Sequence, residues 1–74
     1  MKKEILNNKE RKRIGAEIAE LRAKQGLTQE QLAEKLGIKQ QSVSRIELGL
    51  FSVGFDMLQK IAEALGGKII IQDK

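Results

Sequence analysis

The chain has 74 residues and a net charge of +4, and it contains no cysteine, histidine, tryptophan, tyrosine or proline. This length allows one small domain, and the missing residues exclude a disulfide framework, the usual zinc sites, a thiol nucleophile and an imidazole base. No apolar run approaches the roughly 18 residues of a membrane span, and the N-terminus lacks an apolar segment of signal-peptide length. We therefore expect a cytoplasmic protein that uses no metal or cofactor.

The positive charge is concentrated at the N-terminus. Residues 1–13 carry six basic and two acidic side chains, whereas residues 14–74 are balanced. A short cluster of this kind is either a solvated tail or an arm that contacts nucleic-acid phosphates, and charge alone does not distinguish the two. We assign residues 1–8 to this basic N-terminal tail.

The first predicted helix follows the tail. Ile14, Ile18 and Leu21 are spaced as on one face of a helix, which we expect to run from about Lys9 to Gln25. Gly26 is expected to end it, because the residue after a helix often adopts a left-handed conformation that glycine favours.

Two further helices follow at short intervals. Thr28 and Gln31 have the spacing of a capping box, which predicts the start of a second helix, and Gly37 predicts its end. A third helix is predicted from about Gln40 to Leu48, before Gly49. The sequence therefore predicts two helices joined by a tight turn.

The C-terminal third contains a fourth helix and a strand. We predict the helix over residues 55–65, with Gly54 as its N-cap, after a loop that is unusually apolar. Residues 68–72 contain three consecutive isoleucines, which favour a β-strand.

Residues 29–48 have the features that a helix-turn-helix requires. Ala33 is small enough for two helices to cross closely, and Gly37 suits a sharp turn that needs a positive φ. The remaining apolar positions would join both helices to the rest of the domain; they are Leu32, Leu36, Ile38, Val43 and Ile46.

These residues resemble a known family. The segments Gly26–Ile38 and Ser42–Gly49 are similar to the Xre/Cro phage-repressor type of DNA-binding domain, and the resemblance extends from about Ile14 to Leu65. It implies a mainly α-helical domain of four to five helices over residues 9–66, with the second motif helix in the major groove of DNA.

The resemblance also implies roles for individual residues. Phosphate contacts are expected from Gln29 and Ser42. Base contacts are expected from five residues at or near the third helix, namely Lys39, Gln40, Gln41, Ser44 and Arg45. Glutamine amides can pair with adenine and arginine with guanine. The alternative is that these side chains form only a solvated helix face.

Three more residues carry expectations from the family. Arg22 and Glu47 are expected to form an ion pair inside the domain, because an inward-facing carboxylate needs a cation; the alternative is two unrelated surface charges. Leu48 departs from the family, which usually has asparagine before the glycine. Leucine either leaves the phosphate at that position without a partner or touches a thymine methyl group instead.

The predicted strand indicates a homodimer. No other strand is predicted in this chain, so the simplest partner for residues 68–72 is the same strand of a second copy, with Ile69, Ile70 and Ile71 at the interface. The alternative is a frayed tail. Four helices followed by a dimerisation strand over residues 67–74 also resemble the antitoxins of the HipB and HigA types, which bind a toxin protein and repress their own operon.

Three functions therefore compete. The first is a dimeric repressor that binds a palindromic operator in double-stranded DNA, and the second is an antitoxin with a toxin protein as partner. An enzyme is the poorest hypothesis, because the chain has no histidine or cysteine, no phosphate-cradling glycine loop and no paired carboxylates in a pocket-like context.

Overall fold

The computed structural model describes residues 8–50 and 53–66 of the chain. This part contains four α-helices, α1 (Asn8–Lys24), α2 (Gln29–Leu36), α3 (Gln40–Glu47) and α4 (Phe55–Leu65). None of the four is both long enough and apolar enough to cross a membrane. The prediction of a mainly helical domain is confirmed, and each helix begins and ends within one residue of its predicted bounds. The predicted strand, with Ile69, Ile70 and Ile71, lies outside the described residues.

Local interactions define α2. The backbone N–H of Gln31 donates to Thr28 Oγ1 at 3.0 Å, and the backbone N–H of Thr28 donates to Gln31 Oε1 at 2.9 Å. The predicted capping box is therefore present at the N-terminus of α2. At its C-terminus Gly37 has a φ of 72°, and the Ile38 N–H closes the turn onto the Ala33 carbonyl at 3.0 Å.

The turn between α2 and α3 brings the two helices together and positions α3 on the surface. Lys39 is the N-cap of α3 and makes no side-chain capping bond, as expected for a residue without an acceptor. The inner face of α3 is anchored by Val43 and Ile46, which are both buried. The other side of α3 is consequently left towards solvent.

The core is built from apolar residues of all four helices. It comprises Ile14, Ile18, Leu32, Ala33, Val43, Ile46, Val53, Leu58, Ile61 and Leu65. Val53 belongs to the unusually apolar loop after α3, and its side chain is only 7 % exposed and packs into the core before α4 begins. Leu50, in contrast, is exposed.

Helix α1 approaches the C-terminus of α3 unusually closely at Gly15. A Cβ atom at Gly15 would lie 2.6 Å from the carbonyl oxygen of Glu47 and closer still to that of Ile46. No side chain fits between the two backbones at this point. The close packing holds the end of α3 against α1 and thereby sets the angle at which α3 is presented.

Candidate nucleic-acid interface

The exposed side of α3 carries most of the residues that the sequence singles out for base contacts. Lys39, Gln40, Gln41 and Arg45 are exposed, and Ser44 is half-buried. Gln41, Ser44 and Arg45 lie on one face, since residues three and four apart are neighbours on a helix. Ser42, predicted to contact phosphate, is half-buried in the first turn of α3. The structure therefore brings these polar side chains together on one accessible ridge.

Arg22 of α1 and Glu47 of α3 form an ion pair behind this ridge. Arg22 Nε lies 2.6 Å from Glu47 Oε2, and Nη2 donates to Oε1 at 3.1 Å. The side chains are only 18 % and 5 % exposed, respectively. Because the hydrogen bond to the carboxylate favours the charged guanidinium, it raises the pKa of Arg22 above its ordinary value. The pair thus joins α1 to α3 in a partly desolvated position.

Two glutamine amides extend the ion pair to the surface. Gln29 Nε2 donates to Glu47 Oε1 at 2.8 Å, and Gln40 Nε2 donates to Gln29 Oε1 at 3.0 Å. A carboxylate accepts hydrogen bonds only, so it orients the Gln29 amide with its NH₂ group inward and its carbonyl towards α3. The amide of Gln40 then has its own carbonyl oxygen and one N–H left for another partner. This exposed hydrogen bond favours one orientation of the Gln40 amide, with one N–H directed at Gln29.

The N-terminus of α2 lies beside this chain of hydrogen bonds. A shallow depression is lined by residues of the α1–α2 turn and the start of α2, together with Arg22 and Gln40. The first backbone N–H groups of a helix have no partner within the helix and favour an anion. The capping box already uses the Gln31 N–H, and the Arg22 guanidinium is paired with Glu47, so the donors of this depression that favour an anion are the N–H groups at the first two positions of α2.

The sequence predicts the Arg22–Glu47 ion pair but not the other hydrogen bonds of this site. It predicts separate roles for Gln29 and for the Arg22–Glu47 pair, whereas the structure links them directly. Gln29 and Glu47 are 18 residues apart in the chain, and no local pattern of residues predicts that hydrogen bond. The sequence likewise does not predict that α1 approaches α3 closely at Gly15, apart from the match of this position to the family. The missing side chain of Gly15 allows that approach.

Helices in this order, with a tight turn before an exposed polar helix, define a helix-turn-helix protein. A family model described as helix-turn-helix matches residues 18–70 of the chain. The chain belongs to this Xre-like helix-turn-helix family of DNA-binding regulators.

Several relatives carry the same description. An uncharacterized HTH-type transcriptional regulator of Methanothermobacter thermautotrophicus is 43 % identical over 49 residues, which cover 66 % of this chain and 71 % of that protein. The uncharacterized HTH-type transcriptional regulator y4dJ of Sinorhizobium fredii is 39 % identical over 56 residues, covering 76 % and 73 % of the two chains.

Two solved structures have a similar fold. The restriction-modification controller protein C.AhdI from Aeromonas hydrophila is 31 % identical with a TM-score of 0.77, and the match covers 82 % of this chain and 88 % of that one. The clp gene regulator ClgR from Corynebacterium glutamicum is 32 % identical with a TM-score of 0.75. That match covers 77 % of this chain and 61 % of the ClgR chain, so this chain spans less than two thirds of ClgR.

Proposed function

We propose that this protein is a sequence-specific transcriptional repressor that inserts α3 into the major groove of its operator. The observation that carries the proposal is the hydrogen-bonded chain from Glu47 through Gln29 to Gln40. A side chain that is oriented before DNA arrives loses less conformational freedom on binding, and it presents a defined donor and acceptor to the base edge.

The chemistry of each side chain suggests its role. Gln40 retains one acceptor and one donor, which is the combination that pairs with the N6 amino group and N7 of adenine. Arg45 matches the O6 and N7 acceptors of guanine. Gln41, Ser44 and Lys39 lie close enough along α3 to read neighbouring bases.

Phosphate contacts would set the register of α3 in the groove. Gln29 keeps a second side-chain N–H and lies at the first position of α2, where backbone N–H groups favour an anion. We expect the same role for Ser42, which lies in the first turn of α3. Such contacts fix position and orientation but carry little sequence information.

We further propose that the regulator acts as a homodimer on a palindromic operator. One α3 helix reads a single half-site, whereas two helices related by a two-fold axis read half-sites about 34 Å apart on one face of the duplex. The predicted interface is the strand over residues 68–72. The antitoxin hypothesis depends on the same C-terminal segment, and it stays a prediction that the identity of the neighbouring gene would test.

Selection of binding duplexes from a randomised pool tests this function directly. The full chain should enrich one palindromic sequence, and the same sequence should be protected in a footprint upstream of a gene it represses. The Gln40→Ala variant should lose discrimination at one base pair in each half-site while keeping its helical content. Equal binding to all duplexes would contradict the proposal.

A further inference from the structure

Leu48 is an exposed apolar residue at the C-cap of α3, in line with the polar face of that helix. Its side chain is 61 % exposed, and it lies seven residues after Gln41 and four after Ser44, so all three occupy one face of the helix. A single exposed leucine on a protein surface needs no explanation. This one lies at the end of the ridge that carries every proposed base contact, where water is displaced when DNA binds.

The backbone that carries Leu48 is held firmly. Its N–H donates to the Ser44 carbonyl at 3.0 Å, and the Leu50 N–H returns to the Arg45 carbonyl at 2.9 Å. Between them Gly49 has a φ of 77° and lies against α1, where an added Cβ would come within 2.8 Å of Lys12 Cα. The position of Leu48 relative to Arg45 is therefore fixed by the fold and not by an adaptable loop.

We propose that Leu48 is a specificity-determining residue that contacts the C5-methyl group of a thymine in the operator. The proposal rests on the proposed function, because it requires α3 to lie in the major groove. The thymine methyl is the largest apolar group that the base edges present there, and the other groups used to read bases in the major groove are hydrogen-bond donors and acceptors. Leucine offers neither, so it favours thymine and leaves the polar edges of other bases unsatisfied.

Replacement of thymine by uracil isolates this interaction. Uracil lacks only the methyl group and keeps the same pairing and the same hydrogen-bonding edge. The probes are the duplex recovered from the selection above and a series in which one thymine at a time is replaced by uracil. Burial of one methyl corresponds to about a three- to five-fold change in the dissociation constant. With the wild-type chain, we expect binding to weaken by this factor when uracil replaces thymine at one position in a half-site.

The variant Leu48→Ala should bind the thymine duplex about five- to ten-fold more weakly than wild type and should no longer distinguish uracil at that position. Leu50→Ala is the matched control, since Leu50 is also an exposed leucine but follows the turn at Gly49. With Leu50→Ala, replacement of that thymine by uracil should weaken binding by the same factor as with wild type, whatever the overall affinity of the variant. Thermal melts of both variants establish that the fold is intact.

Other outcomes would overturn the inference. If Leu48→Ala responds to every uracil as wild type does, Leu48 touches the sugar–phosphate backbone or no part of the DNA. If Leu48→Ala becomes monomeric in sedimentation while keeping the uracil response, Leu48 belongs to a protein interface. If the wild-type chain enriches no sequence at all, that result contradicts the proposed function as well as this inference. The first two outcomes contradict the inference alone.

Discussion

Removal of the Glu47 carboxylate is expected to unfold much of the protein. The carboxylate accepts two hydrogen bonds from Arg22 and one from Gln29. In Glu47→Ala the Arg22 guanidinium stays in a site that is only 18 % exposed, where its remaining bond from Nη1 is to the Leu27 carbonyl at 2.8 Å. The charge then has no counterion, and Gln29 loses its acceptor.

The cost is comparable with the stability of the whole domain. Removal of one partner of a fully buried ion pair costs about 3–5 kcal/mol, and for this partly buried pair we expect a cost near the lower end of that range. Small domains are stable by about 0.05–0.15 kcal/mol per residue, which corresponds to roughly 3–9 kcal/mol for residues 9–66. Glu47→Ala should therefore shift the urea midpoint far towards zero, and the folded fraction in buffer should fall visibly.

Urea denaturation followed by circular dichroism measures this effect. Glu34→Ala is the matched control, because Glu34 is an exposed carboxylate on α2, and its stability should stay within about 0.5 kcal/mol of wild type. The double variant Arg22→Met/Glu47→Leu removes both charges and should recover most of the stability, since apolar replacement of a buried pair is often neutral. A Glu47→Ala variant as stable as wild type would refute the reasoning.

Four further results are expected. Arg45→Ala should weaken operator binding by about 1–3 kcal/mol and relax the preference at one base pair, measured against random DNA. Deletion of residues 1–8 should reduce the salt dependence of binding. The slope of the logarithm of the binding constant against the logarithm of the salt concentration should fall by about one unit for each phosphate that the segment neutralises. Gly15→Ala should destabilise the fold by about 1–3 kcal/mol in urea, because its Cβ would collide with the carbonyls at the end of α3. Ile70→Pro should give a helical monomer in sedimentation, with operator binding at least about ten-fold weaker, because proline removes a donor from the predicted intersubunit ladder.

Each of these has an outcome that contradicts it. An equal weakening on operator and random DNA would assign Arg45 to phosphate, and an unchanged salt slope would make residues 1–8 a solvated tail. A Gly15→Ala variant as stable as wild type would show that α1 and α3 can move apart at little cost. An Ile70→Pro variant that stays dimeric would place the interface elsewhere.

The helices and the turn of the motif are encoded locally in the amino-acid sequence. The capping box of Thr28 and Gln31 and the left-handed Gly37 are predictable, because each involves residues within a few positions of one another. The buried positions of α3 follow from the same logic, since the 3.6-residue period of a helix identifies Val43 and Ile46 as its inner face.

The way the candidate site is held together depends instead on the packing of the helices. The orientation of the Gln29 amide depends on Glu47, and the collision that excludes a side chain at Gly15 depends on the end of α3. Val53, from the loop between α3 and α4, joins the core residues of the four helices. In each case the partners are separated in the chain, and their distance is set by the angle at which packed helices cross, which no local pattern of residues encodes.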